Sequence, residues 1–504
     1  MIVLDGNSLT LDQLLAIAVD RAEVSIAPAA LDRVQAARDV VDEVARGDAP
    51  VYGVNTGFGS FAEVKIEADS LTRLQVNLLR SHAAGVGEPL SIPVVRAMMA
   101  LRANVLAKGF SGIHPLTLEL LVALLNRGVH PVVPARGSVG ASGDLAPLAH
   151  LALVLIGEGE AWHDGSREPG AAALARAALE PARLAPKEGL ALINGTQASL
   201  ALLGLALGGA EQLARVADIA AALSIDGLQG SMRPFDPRIH AARGFGGQSI
   251  SAANLAALLS GSAINASHAN CGRVQDAYSM RCTAQVHGAA REALRFVHDV
   301  FDKEANAATD NPMVFAETRE IVSGGNFHGA PVAIAADLLT IALAQFATIS
   351  ERRSDRLVNP VLSGLPAFLT GHGGLQSGLM MAQVTAAALT SELKTVAHPA
   401  SVDTIPTSAN KEDHVSMSMA AALKTMRALE LARGVLAVEI LCACQAIDLL
   451  APLGTSPPLA RVHGFIRAHV PTLVDDRPPS RDLSAITELI TSGGVERACA
   501  MKVN

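Results

Sequence analysis

The feature that most constrains this chain is a helix-forming run with almost no polar face. From Pro331 onward, VAIAADLLTIALAQFATISERR offers only Asp337 and Gln345 as isolated polar positions before its charges gather at the end. Pro331 suits the first turn of a helix, where its missing N–H is not needed. A helix that is apolar around its whole circumference has to be enclosed, by its own chain or by another subunit. Two more stretches have the same character, Ser199 to Ser224 and Ala428 to Leu450. Such segments dominate beyond about residue 200, whereas the earlier part mixes short helical patterns with glycine-rich loops. Helices do not alternate with β-branched runs in a sustained way, which disfavours a parallel α/β sheet. A chain of 504 residues also exceeds the usual size of one core. The expectation is therefore an all-α fold with a smaller loop-rich region over 1–200 and a long central helical bundle over 201–504.

Composition narrows the class further. Half the residues are apolar and only 17% are charged, which points to several helices buried on all sides or to faces covered by other subunits. The balance of 40 basic against 48 acidic residues leaves −8, which argues against nucleic acid as a partner. Cys271, Cys282, Cys442, Cys444 and Cys499 show no paired spacing and read as reduced, mostly buried thiols. The opening MIVLDGNSLT meets Asp5 with no basic segment before it, so the cytoplasm is the expected compartment. The uncharged run Gly189 to Ala210 is interrupted by Asn194, Gly195, Thr196 and Gln197. What remains falls short of the ~20 residues needed to cross a bilayer, and it reads as a core helix. The segment Glu168 to Arg183 is alanine-rich and is expected at the surface.

Several motifs fail on inspection. GFGSFA, from Gly57 to Ala62, fits a dinucleotide fingerprint after the strand-like PVYGVN. A helical pattern follows it, however, in place of the second strand and acidic residue that the fingerprint requires. No Gly-Lys-Ser/Thr closes a phosphate loop near Gly137, and no histidine pair has the spacing of a zinc site. No metal is expected.

The stretch GSVGASGDLAPLAH, Gly137 to His150, raises a different chemistry. If the amide nitrogen of Gly143 attacks the carbonyl carbon of Ala141, a five-membered ring closes across Ser142. Loss of two waters then leaves a methylidene-imidazolone, an electrophile that none of the twenty side chains provides. Glycine permits the bend, alanine leaves the attacked carbonyl uncrowded, and serine supplies the departing hydroxyl. The same residues also fit an ordinary turn before a helix, with Ser142 or Asp144 near its N-cap.

GSVGASGDLAPLAH resembles the signature of the aromatic amino acid ammonia-lyase family, whose members build such a prosthetic group from this tripeptide. VYGVNTGFG, ALINGTQAS, RVQDAYSMRC, NAATDNP, SGGNFHG and TSANKEDHVSM agree with the family in the same order. Within it, Ser81-His82 and Glu412 are similar to the histidine-acting branch; members acting on phenylalanine or tyrosine tend to carry glutamine at the second place. The resemblance implies loss of ammonia from L-histidine to give trans-urocanate, with no external cofactor. It makes Tyr52 the base that takes the β-proton and places Tyr278 beside the electrophile. A tyrosine of ordinary pKa near ~10 is a poor base at neutral pH, so its site is expected to favour the phenolate. Arg281 would hold the substrate carboxylate by a two-point contact. Asn194 and Gln275 would bond the prosthetic group or the bound amino acid, and Phe327 would pack against the ring. Glu412 would engage the substrate imidazole with His82 on its other side. A simpler local account puts Asn410 at an N-cap and Glu412 in the first turn of a helix, where its charge suits the dipole. Lys411 stands where an amide is expected and would offset the charge of Glu412. The family also implies a homotetramer whose active sites combine loops from three chains. Two alternatives stay open, an aminomutase or another aromatic ammonia-lyase, and a non-catalytic helical scaffold that never cyclises.

Overall fold

The computed structural model describes the chain over residues 1–504 apart from Phe58, Ala62, Asn270 and Arg273, with Ser60 and Ala68 described in backbone only. Phe58 and Ala62 of GFGSFA, and Arg273 of RVQDAYSMRC, thus lie outside the described residues.

Among the described residues the chain forms 21 α-helices and nine short strands. The strands pair into four sheets of two or three, so the fold is all-α. Nine helices matter below: α1 Leu71–His82, α2 Ile92–Ala107, α3 Leu145–Leu155, α4 Glu188–Ile193, α5 Gln197–Gly227, α6 Tyr278–Arg281, α7 Thr283–Ala305, α8 Ala330–Val358 and α9 Ser418–Leu449. The residues fall into two compact units. The first comprises Met1–Gly208, His298–Asp337 and Pro399–Leu423; the second comprises Gly209–Val297, Leu338–His398 and Lys424–Asn504. The chain passes between units within α5, α7, α8 and α9.

The first unit holds all nine strands and is organised around α2. Of the 16 residues of α2 only Ile92 and Pro93 escape full burial. Its buried polar side chains are bonded, as interior polar groups must be. Arg96 donates to the carbonyls of Ile17 and Leu125, and Asn104 to that of Ala305.

In the second unit the helices carry the structure alone among the described residues. Arg353 of α8 and Glu439 of α9 form an ion pair with both side chains fully buried. Ser224 of α5 donates to the same carboxylate at 2.7 Å. Such a pair tolerates burial because each charge keeps hydrogen-bonding partners.

The three long runs form helices, with longer bounds than expected. α8 is buried nearly all round; Ile334, Ile341, Gln345 and Thr348 leave one narrow exposed line. Their spacings of seven, four and three are those of a single helix stripe. α9 starts at Ser418, well before Ala428, because Lys424, Arg427 and Glu430 interrupt the apolar pattern without interrupting the helix. Arg427 and Glu430 pair at i,i+3 across 2.7 Å. α5 and α8 are long and apolar enough to cross a membrane, yet 67% of each apolar window is buried within the protein. Cys442, Cys444 and Cys499 are buried free thiols, Cys282 is half-buried and Cys271 is exposed. One local expectation fails and another holds for most of its residues, Glu168 to Arg183 being largely exposed. PVYGVN forms turns in place of a strand, and within Glu168 to Arg183 a short helix, Gly170–Arg176, buries Ala173 and Leu174 completely.

Candidate active site

A cavity of about 470 Å³ lies within the first unit. It brings together Tyr52, His82, Ala141, Ser142, Asn194, Phe327 and Glu412. These residues come from separate elements: His82 ends α1, Asn194 follows α4, and the tripeptide precedes α3.

The tripeptide is held in an unusual backbone. Gly143 has φ +74°, and a Cβ there would collide with the backbone of Gly195, so both conformation and space demand glycine. The amide of Asp144 donates to Gly195 O at 2.7 Å, and Asn194 Nδ2 donates to Ser142 O at 2.9 Å. Ala141 is buried against Val415 and Met417. Asp144 occupies the N-cap position of α3 but its side chain does not cap that helix. It accepts instead from Ser138 Oγ at 2.9 Å and from Ser199 N and Oγ at 2.7 and 2.8 Å. Burial raises its pKa, with the bonds from Ser199 and Ser138 opposing.

These surroundings suit a cyclised ring. In such a ring the Ser142 carbonyl survives, conjugated to the alkene made from the serine side chain. A hydrogen bond donated to that oxygen draws electron density from the alkene, which is what an electrophile requires. Asn194 is 3% exposed, and its Oδ1 has no hydrogen-bond partner among the described residues. A buried acceptor of this kind costs about 1–3 kcal/mol when unmet, and Asn194 is one of the residues that line the cavity.

Glu412 sits in a loop. Ser408, Ala409 and Asn410 all have positive φ, and α9 begins only at Ser418, so the helix-dipole account of this glutamate fails. Its carboxylate accepts from Ser142 Oγ and Thr407 Oγ1, each at 2.5 Å. Burial pushes its pKa up. The hydrogen bonds from Ser142, Thr407 and Ser408, with the charge of His82, outweigh that and leave it below the ordinary value. With the peptide open, Glu412 is thus held ionised; cyclisation removes the Ser142 donor and leaves Thr407, Ser408 and the charge of His82 to act on it. His82 Nδ1 lies 2.9 Å from Leu78 O, a contact that only a protonated Nδ1 satisfies. In the neutral ring Nε2 therefore carries the lone pair. Lys411 lines the same cavity but is exposed, so water screens its charge.

Tyr52 departs from expectation. Burial raises its pKa and the charge of Glu412 raises it further, with a backbone hydrogen bond to Gly59 opposing. The surroundings that the chain itself supplies do not favour a phenolate.

Gln275, Tyr278 and Arg281 belong to the second unit and are not part of this cavity's lining. Gln275 borders another cavity of about 260 Å³ with Asp276. Tyr278 is 71% exposed. The Arg281 guanidinium lies 4.5 Å from the centre of its ring, and Arg281 Nε donates to Asp276 O at 3.0 Å. Sequence reasoning passed over Asn311, His328 and His414, which also line the first cavity. The His328 and His414 rings stack with centroids 5.9 Å apart, and His328 Nε2 lies 3.1 Å from His414 O. All three sit within the motif stretches, so the signal was present in NAATDNP, SGGNFHG and KEDHVSM.

The sequence pattern described as "Aromatic amino acid lyase" matches residues 9–468, and the chain belongs to that family. Among its relatives is a histidine ammonia-lyase of Anaeromyxobacter sp. (strain K), 57% identical over 98% of this chain and 99% of its own. The structure of histidine ammonia-lyase from Trypanosoma cruzi superposes with a TM-score of 0.92 at 44% identity, covering 99% of this chain and 95% of that one. Tyrosine aminomutase from Streptomyces globisporus superposes with a TM-score of 0.95 at 38% identity, covering both chains fully.

Proposed function

We propose that this chain eliminates ammonia from L-histidine to give trans-urocanate, using an electrophile formed from Ala141-Ser142-Gly143. The observation that carries the substrate assignment is Glu412, an ionised carboxylate in the same cavity as the tripeptide and His82. A protonated imidazole ring suits that pair, since one N–H donates to Glu412 and the other to the Nε2 lone pair of His82. The relatedness to histidine ammonia-lyases supports the same choice.

Cyclised, the tripeptide supplies an electron-poor alkene that captures the substrate amine and improves it as a leaving group. The remaining work falls to side chains. Asn194 Nδ2 polarises the Ser142 carbonyl, and its Oδ1 accepts a hydrogen bond from the amino group. Tyr52 removes the β-proton, a step for which a positioned base supplies about 10²–10⁴ in rate. Phe327 bounds the cavity beside the ring. Arg281, Tyr278 and Gln275 act in the active site of a neighbouring copy within a homotetramer. The exposure of Gln275 and Tyr278 supports this, as does the exposed line on α8. A guanidinium brought beside Tyr52 in that way would lower its pKa toward the working range, where the isolated chain does not. No metal or added cofactor takes part, and the cytoplasm is the site of action.

Incubation with L-histidine while following the urocanate absorbance band tests the reading. A protein whose tripeptide is dehydrated and which forms no urocanate would reject it. The likeness to tyrosine aminomutase favours one second reading, in which the product is a β-amino acid; chromatography of the products separates the two.

A further inference from the structure

We infer that Arg102 is a positioning residue for the reaction proposed above, on which this inference rests. Its guanidinium grips the peptide from Ala191 to Gly195 and thereby sets Asn194 against the Ser142 carbonyl.

Arg102 lies in α2 and is fully buried. Its Nη1 donates to Asn194 O at 2.8 Å and to Gln197 Oε1 at 2.7 Å, and its Nη2 donates to Ala191 O. α4 ends at Ile193, so the carbonyls of Ala191 and Asn194 are among those a helix end leaves without internal partners. Gln197 is fixed from its other side, Nε2 donating to Thr309 Oγ1 at 2.7 Å. A Cβ on Gly195 would come within 2.5 Å of Arg102 Nη1 and 2.8 Å of Thr309 O; the guanidinium packs against bare backbone. From this clamped peptide the contacts run directly to the tripeptide. They are Asn194 Nδ2 on Ser142 O, the Asp144 amide on Gly195 O, and the bridge between Gly143 and Gly195.

Stability alone does not account for a charge in this place. Burial lowers the Arg102 pKa to about 10, with Asp310 opposing, and an apolar side chain of similar volume would avoid that desolvation. What the guanidinium adds is geometry. Its planar fork meets acceptors on two segments at once, which the single ammonium of a lysine does not reproduce. With the fork in place, the Asn194 amide is held with Nδ2 toward the Ser142 carbonyl. Without it the donor drifts, and a misplaced donor at such an oxygen loses much of an effect worth about 10²–10³ in rate.

The test uses the full-length protein and Arg102→Lys. Intact mass gives the dehydrated fraction, steady-state kinetics with L-histidine give kcat per dehydrated site and KM, and calorimetry gives Tm. The expected result is a fall in kcat per dehydrated site of about tenfold or more, with KM changed less than about threefold. Arg38→Lys is the control. Arg38 is equally buried and donates to Gly112 O and Pro186 O at 2.8 and 2.9 Å, and none of its contacts is with the tripeptide. It should lower Tm and leave kcat per dehydrated site unchanged. The inference is overturned if Arg102→Lys keeps its per-site kcat, or if Arg38→Lys loses as much. Should Arg102→Lys fail to fold, Gln197→Leu removes one acceptor of the fork; a several-fold lower per-site kcat supports the clamp and an unchanged one overturns it. Wild type is measured alongside. If it lacks the dehydrated tripeptide or histidine turnover, the functional reading fails and this inference with it.

Discussion

Glu412→Gln isolates the charge that the substrate assignment depends on. The change preserves shape, and its cost to the fold should be small, below about 1 kcal/mol. Thr407 Oγ1, which donates to Glu412 Oε2, belongs to a hydroxyl that can rotate and accept from the new amide instead. The cost to binding should be larger. A hydrogen bond between an imidazole N–H and a carboxylate is worth about 1.5–3 kcal/mol, so kcat/KM for L-histidine should fall by about 10- to 150-fold at tenfold per 1.4 kcal/mol. The fall should be specific to substrates that carry an imidazole. Any residual rate with L-phenylalanine or L-tyrosine should be unchanged or higher. A second readout comes from Tyr52, whose pKa is raised by burial and then by the charge of Glu412. Removing that charge should move the rising limb of the pH–rate profile to lower pH. The assay is urocanate formation across a pH series, with intact mass confirming equal dehydration of both proteins. Unchanged kcat/KM for histidine would refute the reasoning, as would an equal loss for all substrates.

Other perturbations separate the remaining parts. Ser142→Ala should abolish the mass deficit and nearly all activity while leaving Tm close to wild type, because the hydroxyl it removes is already gone from the cyclised wild type; near-normal turnover would contradict the scheme. Tyr52→Phe should keep the mass deficit and lower kcat by about 10²–10⁴, which single-turnover kinetics would resolve. Gly143→Ala places an L residue at φ +74°, at about 1–2 kcal/mol from the backbone alone, and drives its Cβ into Gly195; intact mass should show little or no dehydration. For wild type, the active Tyr52 is deprotonated and its pKa is raised in the chain itself. A neighbouring copy's guanidinium brings that pKa down toward the working range, so kcat/KM should climb with pH through neutrality, and a profile flat from pH 6 upward would count against Tyr52 as the base.

The long helices were legible because segments such as Pro331 to Arg353 are apolar on nearly every side, and only enclosure in a helical body accommodates them. Their ends were less so. Lys424 and Arg427 read as a break, but they project from a helix that continues under them. Ala-Ser-Gly was legible as chemistry, since each residue type has a stated job. The surroundings of the tripeptide were not, because the groups that hold it are distant in sequence. Ser142 and Glu412 are separated by 270 positions, and Arg102 and Asn194 by 92. Asn410 followed by Glu412 has the pattern of a helix start, yet three consecutive left-handed residues turn the chain away and hand the carboxylate to Ser142 and Thr407. The raised pKa of Tyr52 was also beyond reach, because it follows from burial and from Glu412, neither of which is visible near position 52.

The central claim is that Ala141, Ser142 and Gly143 rewrite their own backbone, and the mass of the intact chain tests it most directly. Freshly purified, catalytically active protein should weigh two waters less than its sequence, and peptide fragments should place the whole deficit within residues 141–143. An active preparation whose tripeptide carries its full mass would contradict the account.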